Sequence, residues 1–276
     1  MQIATTIPAL RTARRALTGT VGLVPTMGAL HEGHLSLVRA ARAACDHVVA
    51  TIFVNPTQFA PNEDFSKYPR TFEADCALLD REGVELVFAP SPTEMYPHGA
   101  TTRIHVGPIA DRLDGASRPG HFLGVATIVA KLFHLVAPDK AFFGQKDAQQ
   151  VAVLRQMVRD LDFNLELVIG PIVREADGLA MSSRNRYLSP GERKQALVLS
   201  RALAKAVEAY ERGERDPAKL IDSARTVMAT EPAVRMDYLT LVDAATLLPL
   251  EEASPGALLA IAAWVGTTRL IDNRLL

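Results

Sequence analysis

Short apolar runs alternate with amphipathic stretches through the first two-thirds of the chain. Residues 21–24 form a β-rich run closed by Pro25. Beyond it Leu35, Val38 and Ala41 recur at near-helical spacing, and HVVATIFV (47–54) is a second buried run. Strand, helix and strand within about 35 residues predict a βαβ unit with a right-handed crossover and parallel pairing. The alternation continues. Residues 73–82 read as a helix stopped by Gly83, and VELVFAP as a strand bounded by Pro90. A largely apolar helix is expected over 122–136 and a short strand over 140–143. The next helix places Val151, Leu154, Val158 and Leu161 on one face, and 165–169 is a last parallel-type strand. Continuous apolar strands between helices predict an α/β sheet covered on both faces.

After Tyr187 the character changes. LSPGERKQALVLSRALAKAVEAYERG opens with Ser189, Pro190 and Glu192, a capping box with proline at the first helical position. A second helix is expected from Asp216-Pro217, followed by MDYLTLVD, ALLAIAAWVG and TTRLIDN as turn-separated strands, the pattern of an α+β unit. The domain boundary is placed near residue 184, giving units 1–184 and 185–276, with no internal repeat.

A chain of 276 residues that is 48% hydrophobic has enough material for a sizeable core. Thirty basic against thirty-one acidic side chains argue against a general nucleic-acid or membrane-surface binder while leaving room for a local basic pocket. No apolar run reaches the roughly 18 residues of a spanning helix. Cys45 and Cys76 allow at most one disulfide; both lie in helical patterns and read as buried thiols, which points to a reducing compartment. The first thirty-one residues carry Arg11, Arg14 and Arg15 and no acid, as in an organellar transit peptide. GTVGLVPTMG nevertheless reads as the first core strand, so the chain is expected to be mature and cytoplasmic.

The candidate chemistry lies at predicted strand ends, where open α/β sheets bind ligands. PTMGALHEGHLSLV (25–38) sets Gly28, Gly33, His31 and His34 between the first strand and the first long helix. The glycines would let backbone approach a ligand, and the helix start would offer free N–H groups and a positive dipole end to phosphate. Histidines three apart share a face, where their N–H groups can meet charge on a phosphate oxygen. An ordinary helix start remains open as an alternative. A zinc site is weaker, since HEGH lacks both the zincin spacing and a third ligand. FVNPTQF offers Asn55 and Gln58 as neutral amides for a hydroxyl or carboxylate, or else is an Asn-Pro turn. FFGQKDAQQ ends a strand at Gly144 and puts Lys146 and Asp147 at a helix start, where a lysine is misplaced for the dipole unless it meets an anion. Gln150 follows one turn on. In VREADGLAMSSRNRYLS, Ser182, Ser183 and Arg184 could serve a polyphosphate, although the composition is common for a loop. Asp75 and Asp147 are candidate metal ligands, with the metal site itself unassigned.

Together these stretches carry the pattern of nucleotidyl-transfer α/β folds. PTMGALHEGH, IFVNPTQF, YPRT, RPGHFLGVATIV, FGQKDAQQ and READGLAMSSRN occur in the order and spacing of the pantoate–β-alanine ligase family, which the chain resembles over its whole length. The resemblance implies a Rossmann-like parallel sheet with a smaller α+β lid domain. It implies ATP-dependent condensation of pantoate with β-alanine through a pantoyl adenylate, releasing AMP and pyrophosphate, with Mg²⁺ beside the nucleotide and a homodimeric enzyme. By that resemblance His34, His31 and Lys146 are catalytic. Met27, Gly28, Ala29, Leu30, His31, Glu32, Gly33 and His34 contact ATP, as do Gly144, Gln145, Lys146, Asp147, Val173, Met181, Ser182, Ser183 and Arg184. Gln58, Gln150 and Asn55 hold pantoate and β-alanine. Competing readings are a nucleotidyltransferase that stops after adenylation and a binding regulator without catalysis; nothing suggests a nucleic-acid or membrane partner.

Overall fold

The apolar runs become the strands of one parallel sheet. The computed structural model describes residues 1–61 and 63–276. In chain order its first elements are β1 (Gln2–Ala4), α1 (Ile7–Ala16), β2 (Val21–Thr26), α2 (Glu32–Ala44), β3 (His47–Ile52), α3 (Phe72–Arg81), β4 (Leu86–Phe88) and α4 (Pro92–Met95). Then come α5 (Leu113–Ser117), α6 (His121–Val136), β5 (Lys140–Gly144), α7 (Ala148–Asp160) and β6 (Glu166–Gly170). The carboxyl-terminal part comprises α8 (Pro190–Glu211), α9 (Pro217–Met228), β7 (Val234–Val242), β8 (Leu258–Val265) and β9 (Thr268–Leu275).

The parallel sheet has the order β1-β4-β3-β2-β5-β6. Successive strands run outward from β2 to β4; the chain then crosses back to lay β5 on the other side of β2. That reversal makes the β2–β5 boundary the switch point of the sheet. Alternate strand residues feed two cores. Leu23, Val49, Phe88 and Phe143 pack with α1, α6 and α7 on one face, and Val24, Ala50, Val87 and Phe142 pack with α2 and α3 on the other. Burial on both faces explains why these strands are continuously apolar rather than alternating.

Four elements were not legible in the chain: β1, α1 and the short helices α4 and α5. β1 is three residues long, and α1 buries only Leu10 and Ala13 among its arginines, too thin a stripe to register as periodic. Thus 21–24 belongs to the second strand rather than the first. The arginine-rich start is part of the fold: Arg14 donates from Nε to the Val136 carbonyl at 2.8 Å and from Nη2 to that of Ala137 at 3.1 Å, closing the end of α6. Leu161 is also corrected. It follows α7 and is 51% exposed, while Met157 takes the buried position. Cys45 and Cys76 are free thiols but only half-buried, and burial pushes both up in pKa.

In the carboxyl-terminal part α8 and α9 cover an antiparallel sheet, β7-β8-β9, around Leu199, Leu203, Leu220 and Ile261. The capping box at Ser189 forms as read: Glu192 N–H donates to Ser189 Oγ at 3.3 Å, and Ser189 N–H to Glu192 Oε2 at 2.8 Å. The other face of this sheet adds Val242, Leu258 and Ala260 to the first core. No described helix is long and apolar enough to cross a membrane.

A charged cluster ties the sheet to α5. Arg269 Nη2 lies 2.7 Å from both Asp114 Oδ1 and Asp237 Oδ2, and Tyr238 Oη donates to Asp114 Oδ1 at 3.1 Å. With Arg269 13% exposed and Asp114 11%, deleting the cation leaves a carboxylate in a poorly solvated place. Arg269→Ala is expected to cost about 3 kcal/mol of unfolding free energy. Urea unfolding should show a lower midpoint at unchanged slope; a change below about 1 kcal/mol would mean the pair contributes no more than a surface bridge.

Candidate active site

β2 pairs with β5 only at Gly22–Lys140 and Leu23–Ala141. Beyond the carboxyl ends of these strands lies a cavity of about 230 Å³. Its first wall is the loop from Pro25 into α2. Thr26 Oγ1 donates to the Thr51 carbonyl at 2.6 Å and accepts from Gly28 N–H at 3.1 Å. Gly28 and Ala29 then turn with φ of +80° and +50°. The turn is anchored from α3: Asp75 accepts from Ala29 N–H at 2.9 Å, Leu30 N–H at 2.8 Å and Thr71 Oγ1 at 3.1 Å. This corrects the reading of Asp75 as a metal ligand, because its two oxygens are engaged by three donors. The same anchor bears on Gly28, where a Cβ would lie 3.0 Å from Asp75 Oδ2. The glycine admits the protein's own carboxylate.

α2 begins with a capping box made of two imidazoles. His31 Nδ1 accepts from Gly33 N–H at 3.2 Å, and His34 Nδ1 accepts from His31 N–H at 3.4 Å. The expectation of free N–H groups at this helix start is therefore narrowed: imidazole nitrogens take those of His31 and Gly33. A Cβ on Gly33 would sit 3.0 Å from the His31 ring, so this glycine makes room for the imidazole. A ring nitrogen that accepts carries no proton, so each neutral ring holds its proton on Nε2. The rings stack with centroids 4.1 Å apart. Burial, reinforced by the Lys146 charge, pulls His31 down to about 4. Burial, then His31 and Lys146, pulls His34 down to about 3. At neutral pH the site thus holds two uncharged N–H donors.

The second wall follows β5. Lys146 Nζ lies 3.8 Å from Asp147 Oδ1, and Gln150 lines the cavity one turn into α7. The third follows β3. Asn55 is 1% exposed. Its Oδ1 accepts from Tyr96 Oη and Thr57 Oγ1, both at 2.9 Å, and its Nδ2 donates to the Gly124 carbonyl and Gln58 Oε1, both at 3.1 Å. Both amide atoms of Asn55 are thus held by protein at the cavity wall. Asn55 orients Gln58, whose Nε2 is turned toward Met27 Sδ at 3.0 Å.

Of the residues expected in the site, Met27, His31, Gly33, His34, Asn55, Gln58, Gly144, Lys146, Asp147, Gln150, Val173, Met181 and Arg184 line this one cavity. The others stand behind it. Gly28, Ala29 and Leu30 rest on Asp75, Glu32 faces outward and pairs with Arg39, and Gln145 is turned to Asn273. Ser182 Oγ accepts from Arg184 N–H at 3.3 Å, and Ser183 Oγ meets Tyr68 Oη at 3.2 Å. Arg184 itself forms a fork with Asp64, both contacts at 3.0 Å.

Five polar lining residues were missed as individuals: Thr26, Thr51, Tyr68, Arg118 and His121. Tyr68 opens the YPRT block, while Arg118 and His121 belong to RPGHFLGVATIV. Their signal was therefore present without an assigned role. Arg118 is paired with Glu63 at 2.7 and 2.8 Å and donates to His121 Nε2 at 3.0 Å. His121 Nδ1–H in turn donates to the Gln58 carbonyl at 2.8 Å. Burial and the Arg118 charge bring His121 down to about 4, so it too is neutral.

No group of three or more His, Cys, Asp and Glu among the described residues is arranged to hold a metal. Asp147 remains a carboxylate at the cavity wall that makes no cap bond to its own helix.

A strand-order reversal in a parallel sheet, with imidazole donors, a lysine and an arginine converging there, defines a nucleotide-using α/β enzyme. A family model for pantoate–β-alanine ligase matches residues 2–275, and the chain belongs to that family. It is 69% identical over 259 residues to the pantothenate synthetase of Acidobacterium capsulatum, covering 94% of this chain and 87% of that one. The crystal structure of pantothenate synthetase from Thermus thermophilus superposes with a TM-score of 0.96 at 50% identity, covering 100% of this chain and 99% of that one. That of pantoate–β-alanine ligase from Francisella tularensis, complexed with β-γ ATP and β-alanine, does so at 0.81 and 34%, covering 100% and 97%.

The histidine chemistry is directly measurable. All three folded pKa values lie below the unfolded value of about 6.5, so the unfolded chain binds more protons in acid. Their contribution to stability is complete above pH 6.5 and falls as pH drops toward 4, by up to about 1.4 kcal/mol per histidine per unit. Ring NMR shifts of His31 and His34 should stay constant from pH 8 to 5. A midpoint near 6.5 for either would overturn the neutral-donor assignment.

Proposed function

We propose that the chain condenses pantoate with β-alanine at the expense of ATP through a pantoyl adenylate. The observation that carries this reading is one cavity joining cation-rich and imidazole walls to a wall of neutral amides. In the first step a pantoate carboxylate oxygen bonds to the α-phosphorus of ATP and pyrophosphate leaves. In the second the β-alanine nitrogen bonds to the acyl carbon, AMP leaves, and the nitrogen loses a proton.

The residue types follow from the charges. Carboxylate attack on a triphosphate brings like charges together, so N–H donors and cations are needed at the phosphates. His34, with His31 beside it, supplies Nε2–H donors to the oxygen charge that grows at the α-phosphorus; being neutral, they do not pair with the attacking carboxylate. Lys146 and Arg184 take phosphate oxygens. Gln58 and Gln150 orient pantoate through amides that neither add charge nor titrate. Val125, Ile128, Val129 and Leu132 form an apolar side of the cavity that disfavours hydrolysis of the acyl adenylate. Mg²⁺ keeps several waters and binds through one or two carboxylates plus phosphates, a role that Asp147 suits, and would neutralise phosphate charge there. We further place the work in two units, 1–184 binding ATP and pantoate and 185–276 acting as a lid, in a cytoplasmic homodimer.

Pantoate-dependent ATP–pyrophosphate exchange, followed by AMP and pantothenate release on adding β-alanine, tests the whole scheme. Exchange with no amine-dependent step would mean a nucleotidyltransferase that stops at the adenylate. His34→Ala should lower exchange by about 3–4 kcal/mol in transition-state terms while unfolding cooperatively like the parent; near-normal exchange would remove His34 from the reaction. Gln58→Ala should weaken pantoate by about 1–3 kcal/mol with ATP affinity little changed. Separate calorimetric titrations decide it, and a selective loss of ATP binding would put Gln58 in the wrong subsite.

A further inference from the structure

β9 reaches the site without lining its cavity. Its Asp272 and Asn273 are 4% and 2% exposed. Asp272 grips Arg174 with both oxygens, at 2.7 and 2.9 Å, and Arg174 directly follows Val173 of the cavity wall. Asn273 grips the other wall. Its Nδ2 donates to the carbonyls of Gln145 and Lys146, both at 3.0 Å, and its Oδ1 accepts from Gln145 Nε2 at 3.2 Å.

Two successive carbonyls converging on one amide fix two successive peptide planes, and with them the direction in which the Lys146 side chain leaves the backbone. Asp147, the residue entering α7, makes no side-chain cap bond. Behind the turn lies a void of about 10 Å³, lined by Lys146, Gln149 and Asn273 among others. Gln149 Oε1 is buried there without a hydrogen-bond partner among the described residues. The polar contacts from β9 therefore act directly on the backbone that carries the lysine.

We infer that Asn273 is a positioning residue for Lys146, through which the carboxyl-terminal sheet sets the path of the lysine to the nucleotide phosphates. The inference rests on the reading of Lys146 as a phosphate-binding cation. It predicts a defect confined to the half-reaction that contains pyrophosphate.

The test compares two half-reactions in the full-length enzyme: pantoate-dependent ATP–pyrophosphate exchange, and β-alanine-dependent AMP release from preformed pantoyl adenylate. Asn273→Ala should reduce exchange ten- to a hundredfold, in line with displacement of a reacting group by about 1 Å, and change AMP release by less than about threefold. Asn273→Asp keeps the volume and the acceptor for Gln145 but sets an oxygen against two carbonyls, so its exchange should fall at least as far. It also preserves the test if the alanine variant does not fold. Equal loss in both half-reactions, or an aspartate variant close to the parent, would overturn the inference in favour of a purely space-filling role. Lys146→Ala run alongside separates the two levels. If it leaves exchange intact, the phosphate role of the lysine fails. If it abolishes exchange while both Asn273 variants retain it, only the positioning role fails.

Discussion

The site depends on a buried carboxylate that stands outside its cavity. Asp75 reaches from α3 to take the N–H groups of Ala29 and Leu30, and so holds the left-handed turn formed by Gly28 and Ala29. A non-glycine residue such as Ala29 rarely adopts that conformation, and here charge-assisted hydrogen bonds offset its cost. What the turn gains is direction. It ends β2, reverses the chain and delivers His31 to the cap of α2 with His34 one turn above it. Without that anchor neither imidazole would be aimed at the switch point of the sheet.

The imidazoles then solve a local electrostatic problem. A helix start attracts anions, and so would protonated histidines, but fixed positive charge here would also attract the pantoate carboxylate away from its line of attack. By placing Nδ1 against backbone N–H groups, the capping box favours neutral rings and leaves Nε2–H as the outward donor. Lys146 across the cavity pushes the same way. In the proposed reaction positive charge would come from Lys146 and from Arg184, which is held by Asp64, while the imidazoles would contribute dipoles. This division separates attraction of the nucleotide from stabilisation of charge that appears only during reaction.

Much of this was legible in the chain because strand ends carry their chemistry locally. HxGH, VNPTQF and GQKD each follow a recognisable apolar run, and their side chains meet because the runs pair in one parallel sheet. What could not be read were roles fixed by distant partners. Asn55 looks like a free amide in sequence, yet its partners include Tyr96 and Gly124. Asp75 looks like a metal ligand until Ala29 and Leu30 arrive from 45 residues or more away. α1 escaped notice because its apolar stripe is two residues wide, and β1 because three residues give no period. The serines of MSSRN were assigned to the nucleotide through the family resemblance, and the sequence could not show that their hydroxyls also cap the loop and meet Tyr68.

The strand order also bears on synthesis. β2 lies in the middle of the sheet, but its partner β5 is made long after it; the bond from Val21 N–H to Asp139 Oδ2 spans 118 residues. A nascent chain emerging at about 5–20 residues per second therefore carries β2 as an uncovered, apolar edge for several seconds or more. In that interval the chain has both histidines but not yet the cavity wall that follows β5. Release before β5 would leave an adhesive edge, so the interval before β5 emerges is the one in which the sheet is open to pairing with other chains.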